Sequence, residues 1–87
     1  MILSGIKLAE LASGAAKKWL NKQIDSPGGS VGASIDREKG EATFFQGSRK
    51  GEFKKTGGSL EYMGGDLPNP GMASAVLAAA FRGLGIS

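Results

Sequence analysis

The sequence has 87 residues, among them 15 glycines, 11 lysines or arginines and 8 acidic residues, for a net charge of +3. It contains neither cysteine nor histidine, which excludes disulfides, thiol nucleophiles, imidazole bases and the commonest zinc sites. We therefore expect one small domain that is not an enzyme and that uses no metal and no cofactor. Because a domain of this size buries only about 60% of its unfolded surface, we expect contacts with partner chains to stabilise it.

The first segment, residues 1–24, has the periodicity of an amphipathic helix. Its predicted N-cap is Ser4, and a turn rich in proline and glycine follows Ile24. Apolar residues that recur every three or four positions fall on one side: Ile2, Ile6, Ala9, Ala12, Ala16, Leu20 and Ile24. The other side carries Lys7, Lys17, Lys18 and Lys22 against Glu10. This helix therefore accounts for the whole net charge, and the remainder of the chain is neutral.

The predicted helix suits either a membrane surface or a protein core. In the first alternative, Ile6, Trp19 and Leu20 contact lipid while the lysines face the headgroups. In the second, the same apolar side packs on a sheet and the lysines face water. Lys7 and Glu10 interrupt the apolar run, so we expect no secretory signal, and no uncharged run approaches the roughly 20 residues that span a bilayer. The expected location is the cytoplasm or a larger particle.

Residues 30–63 have the short β-branched and aromatic runs that are typical of strands. Two hairpins are predicted, the first with its turn at residues 36–40 and the second with its turn at residues 56–58. Phe44 and Phe45 are adjacent, so in a strand their side chains point to opposite faces. At least one of the two phenylalanines therefore needs a second layer or a partner chain to cover it.

The second predicted hairpin also carries basic residues around an aromatic one. In a third hypothesis these residues bind phosphates and stack on bases: Arg49, Lys50, Phe53, Lys54 and Lys55. Glu52 and the neutral balance of the region argue against this hypothesis, because such a run of charges is usually the solvated edge of a hairpin.

The last segment, residues 69–83, is predicted to be a helix that starts at Asn69 and Pro70 and ends at Gly83. It is apolar nearly all round, so it either runs through the core or packs against another chain. The predicted protein interface combines residues of this helix with the two phenylalanines: Met72, Val76, Leu77, Ala80, Phe81, Phe44 and Phe45.

Together these elements predict an α+β fold, in which a helix, two hairpins that form a small antiparallel sheet and a second helix follow one another. The leading functional hypothesis is a structural protein that acts through protein–protein contacts in a homo-oligomer or a larger assembly, such as a minor component of a virion or another large particle. A membrane-surface protein and a nucleic-acid-binding protein are the two alternatives.

Overall fold

The computed structural model of this chain describes residues 1–27 and 29–86. In chain order the described residues form β1 (Ile2–Ser4), α1 (Gly5–Leu11), α2 (Gly14–Asp25), β2 (Val31–Asp36), β3 (Glu41–Gln46), β4 (Arg49–Thr56), β5 (Ser59–Gly65) and α3 (Pro70–Gly83). The predicted α+β class is confirmed, with helices near both ends of the chain and the strands of the sheet between them.

The strands form one antiparallel sheet in which neighbours in sequence are neighbours in space, in the order β1-β2-β3-β4-β5. Both predicted hairpins are present, as the pairs β2–β3 and β4–β5. In the first turn, Oδ1 of Asp36 accepts hydrogen bonds from the backbone N–H groups of Glu38 and Lys39, each 3.1 Å long. In the second turn Gly57 has a φ of 64°, the left-handed conformation that two-residue hairpin loops require. Local turns therefore fix the register of both hairpins.

The N-terminal segment is not the single helix that its periodicity predicts. Ser4 does cap a helix, since its Oγ accepts a hydrogen bond of 3.2 Å from the backbone N–H of Lys7. The residues before the cap, however, form the edge strand β1. The helix then ends before Ala12, whose backbone is extended, and a new helix begins after Ser13 with Gly14 at a φ of 60°. Because residues with a side chain are strained at that φ, glycine allows the chain to turn between α1 and α2.

The helices cover one face of the sheet, which we call the inner face. Strand and helix side chains are buried together there: Ala33, Ile35, Ala42, Phe44, Phe53 and Leu60 from the sheet, and Leu8, Leu20, Val76, Leu77 and Phe81 from the helices. Phe44 packs beside Trp19 of α2 with ring centroids 6.1 Å apart, and Phe53 packs beside Tyr62 at 5.2 Å. The chain thus builds a hydrophobic core from its own residues.

Helix α3 belongs to this core. Its N-cap is Asn69, whose Oδ1 accepts a hydrogen bond of 3.2 Å from the backbone N–H of Met72, and Pro70 opens the helix as predicted. The α3 residues that were predicted to form an interface pack instead against α1, α2 and β5, and they are buried: Val76, Leu77, Ala80 and Phe81. Of the two alternatives for this helix, the structure shows the core, which leaves these four side chains no surface for a partner.

Helix α3 also contacts the free edge of the sheet at β5. The Ser74 hydroxyl donates a hydrogen bond of 2.6 Å to the backbone carbonyl of Leu60, a group of the edge strand. The opposite edge, β1, is three residues long. Short length and a covering contact both protect an edge strand from pairing with another chain.

Replacement of Val76 by aspartate is expected to unfold the protein, because burial of an unpaired carboxylate costs several kcal/mol, on the order of the whole stability of a small domain. The neighbouring Ala75 is exposed, so Ala75→Asp should leave the thermal midpoint within a few degrees of that of the wild type. Circular dichroism during heating measures both variants. A folded Val76→Asp protein with an altered oligomeric state would show instead that this position lies between chains.

Gly51 of β4 points to the inner face at a place where Leu67 and Tyr62 leave no room for a side chain. A Cβ at this position would lie 2.5 Å from Leu67 Cδ1 and 2.7 Å from Tyr62 Cε1. We therefore expect Gly51→Ala to lower the free energy of unfolding by about 1 to 3 kcal/mol, as measured by urea denaturation. Gly58→Ala is the control, since a Cβ at Gly58 meets no described atom within 4 Å. An equal loss in the two variants would contradict this packing.

Candidate protein-binding face

No described helix covers the opposite side of the sheet, which we call the outer face. Because side chains alternate along a strand, the residues between the buried ones point to it: Ile2, Gly32, Ser34, Asp36, Glu41, Thr43, Phe45, Lys50, Glu52, Lys54, Glu61 and Met63. Three of them are large and apolar, and they are exposed: Ile2 to 84%, Met63 to 58% and Phe45 to 40%. Ile2 and Met63 lie on the two edge strands and Phe45 on the central strand, with polar and small residues between them. A face that exposes several large apolar side chains is a candidate binding surface.

Small residues occupy the middle of the outer face. One row of paired residues crosses the sheet from β1 to β4 in the order Ile2, Ser34, Thr43 and Glu52. In the next row Phe45 pairs with Gly32, whose missing side chain leaves one side of the phenylalanine ring open. A partner could therefore approach the centre of this face closely.

The pairing of β4 with β5 is irregular next to Met63, which alternation after Leu60 and Tyr62 directs to the outer face. The pairing of β4 with β5 shifts from Phe53↔Tyr62 to Glu52↔Gly64, which leaves Met63 as an extra residue. A shallow groove of about 330 Å³ lies beside it, with these side chains along its walls: Glu41, Thr43, Glu52, Lys54 and Met63. The groove therefore places the charged side chains of Glu41, Glu52 and Lys54 beside the apolar side chain of Met63.

The outer face is acidic, although the chain as a whole is basic. Two lysines and four carboxylates point to it, which gives a net charge of −2 against +3 for the whole chain. Lys54 lies directly opposite Glu41 and Glu61 in the strand register, which partly offsets these two carboxylates. Within the described residues, the ion pair closer than 4 Å is Lys7–Glu10 in α1, at 3.5 Å. Such a face attracts basic partners and repels phosphates and anionic lipids.

Of the residues predicted to form a protein interface, Phe45 lies on the outer face. Phe44 and Phe45 point to opposite sides of β3, as their adjacency predicted, and Phe44 is fully buried. Met72 is half-buried in α3, and the rest of that predicted set lies in the core. Sequence reasoning missed Ile2 and Met63. The first lies within a predicted helix, and the second follows Leu60 and Tyr62 in a predicted strand whose outward side chains the interface prediction does not include.

The residues predicted to contact a membrane do not share one surface. Leu20 is fully buried and Trp19 is half-buried beside Phe44, whereas Ile6 is exposed on α1. The reason is that α2 turns its apolar side toward the inner face of the sheet. In the part of the chain that the structure describes, no helix combines the length and the apolar character needed to cross a membrane.

The residues predicted to bind nucleic acid are divided between two sides of the sheet. Alternation along β4 directs Lys50 and Lys54 to the outer face, while Arg49 and Lys55 point the other way. Phe53 is 1% exposed, so its ring has no surface on which a base could stack. These five residues therefore do not form one basic patch around an aromatic ring.

Comparison with known proteins finds no matching family model, no matching curated protein and no matching solved structure. Within residues 1–27 and 29–86, no three acidic side chains converge into a group that could hold a metal ion. On the described surface, the outer face combines exposed apolar side chains, small central residues and a net charge.

The two adjacent phenylalanines provide a matched test of which face is covered. Phe44→Ala should lower the free energy of unfolding by about 3 to 5 kcal/mol, since it leaves a cavity in the core. Phe45→Ala should lower it by about 1 kcal/mol or less, because that ring is already partly in water. Urea denaturation measures both losses. Equal losses would mean that the folded protein covers both faces of the sheet.

Proposed function

We propose that this chain is a non-enzymatic structural protein that acts through protein–protein contacts, with the outer face as its binding surface. It would serve as a subunit of a homo-oligomer or of a larger particle. The observation that carries the proposal is the uncovered outer face, on which Ile2, Phe45 and Met63 are exposed. Since the core is built from the chain's own residues, a partner at the outer face would stabilise the complex by removing these side chains from water.

The size of the outer face suits a small specific interface. Strands that are about 4.8 Å apart and about six residues long, at about 3.3 Å per residue, give a five-stranded sheet of roughly 480 Å² in projection. A standard interface buries about 800 Å² on each partner. A partner that covers the outer face together with its rim would therefore reach the lower end of the usual range.

The membrane and nucleic-acid alternatives have less support from the positions of the side chains. The apolar anchor Leu20 and the aromatic Phe53 are both buried, so neither is available for lipid or for a base. The outer face carries net negative charge, which opposes contact with phosphates. Protein is the partner class that fits exposed apolar side chains within an acidic surface.

Site-specific photo-crosslinking tests the proposal. Phe45 is replaced by benzoylphenylalanine, which keeps an aromatic side chain on the outer face, and the variant is produced in the cells that naturally make this protein. The control carries the same group at Ala75, which is exposed on α3. We expect discrete protein adducts at position 45 that are absent or several-fold weaker at position 75.

Mass spectrometry of the adducts identifies the partner class. Adducts of position 45 with lipid or nucleic acid would favour one of the two alternatives. Equal labelling at both positions, or no adduct at position 45, would contradict a binding role for the outer face.

A further inference from the structure

A second charged surface lies on helix α2, in the helical layer of the molecule. At about 100° per residue around a helix, Lys18 and Lys22 lie roughly opposite Leu20, which is fully buried. Both lysines are exposed, as are Lys17 and Asp25. We call Lys18 and Lys22 the α2 lysine side, since Lys17 lies only about 60° around the helix from Leu20. Asp25 lies about 20° from Lys18 on the same side, so this side carries a net charge of +1, from two lysines and one aspartate. The outer face of the sheet carries negative charge.

An apolar hollow adjoins the α2 lysine side. It is open to solvent, with a volume of about 550 Å³, and all of its lining residues belong to α2: Lys18, Trp19, Asn21, Lys22 and Asp25. Trp19 is half-buried, so its indole contributes to the hollow while also packing beside Phe44. Partly exposed tryptophans of this kind are frequent anchor points in protein interfaces.

We propose that the partner of the outer face is a second copy of this chain, which docks its α2 lysine side there. This inference rests on the proposed function, because it takes the outer face as the interface. Opposite charges favour the pairing, since Glu41 and Glu52 of one copy would face Lys18 and Lys22 of the other. The lengths also agree, because the 12 residues of α2 extend about 18 Å and a strand of six residues extends about 20 Å.

The exposed apolar side chains fit the same arrangement. Phe45 and Met63 project from the outer face, and the apolar surface of α2 beside Trp19 offers a contact for one of them. A symmetric contact between two outer faces is less favourable, because each carries a net charge of −2 and like charges repel across an interface.

The two surfaces differ, so the contact is head-to-tail and leaves one of each surface free at the ends of the assembly. Contacts of this kind either close into a ring or continue into a filament. Because opposite charges carry the contact, the Kd between copies should rise at least about tenfold when ionic strength increases from about 0.05 M to about 0.5 M.

Two charge-neutralised variants test the inference. The face variant carries Glu41→Gln and Glu52→Gln, and the helix variant carries Lys18→Gln and Lys22→Gln. All four side chains are exposed, so both variants should keep the wild-type circular dichroism spectrum.

The measurement is molar mass by light scattering as a function of protein concentration, at low and at high salt. The wild type should associate at low salt, and so should a control with Glu38→Gln and Lys39→Gln in the exposed first turn. The face variant and the helix variant should each remain monomeric at concentrations at least about tenfold higher. Their equimolar mixture should form a one-to-one complex and nothing larger, since each member keeps one intact surface.

Self-association of the helix variant would show a symmetric contact between outer faces and would overturn the inference. A wild type that stays monomeric over the whole concentration range would overturn it as well. In that case the adducts formed at position 45 would still test the proposed function, because they report any protein partner, whether or not it is a second copy.

Discussion

The burial of Phe44 between β3 and the helices determines which side of the sheet is inside. Its ring is fully buried beside Trp19, and alternation along the strand then directs Phe45 to water. Through the antiparallel register, the inward direction of Phe44 fixes which side chains of the four remaining strands point inward. A slip of one residue in the pairing would exchange the two faces. The hydrophobic core and the candidate binding face are therefore two results of one pairing pattern.

Signals confined to a few neighbouring residues were predictable from the sequence. Ser4, Asn69 and Pro70 begin helices as expected, because their hydrogen bonds and backbone angles involve residues within one turn. The break between α1 and α2 was not predictable, since apolar spacing continues across it and Gly14 is its single local mark. Strand β1 was missed for a different reason, because its partner β2 lies about thirty residues away in the chain.

The candidate site was harder to predict than the fold. The interface prediction takes the large apolar residues of α3, yet such residues are the ones most often buried in a core, and α1, α2 and β5 cover them. The acidic character of the outer face is also invisible in a linear count of charges, since residues 25–87 are neutral overall. It appears when strand alternation separates Glu41 and Glu52 from Arg49 and Lys55.

The hydrogen bond from Ser74 to the carbonyl of Leu60 affects more than the stability of α3. It occupies a backbone acceptor of β5, and the other edge strand is three residues long, so continuation of the sheet from one molecule into the next, which is the geometry of amyloid, is hindered at both edges. In the proposed assembly, contact between copies would rest on side-chain surfaces, where ions compete. A change in the ionic surroundings could then dissolve an assembly of this protein, whereas a continuous intermolecular sheet would persist.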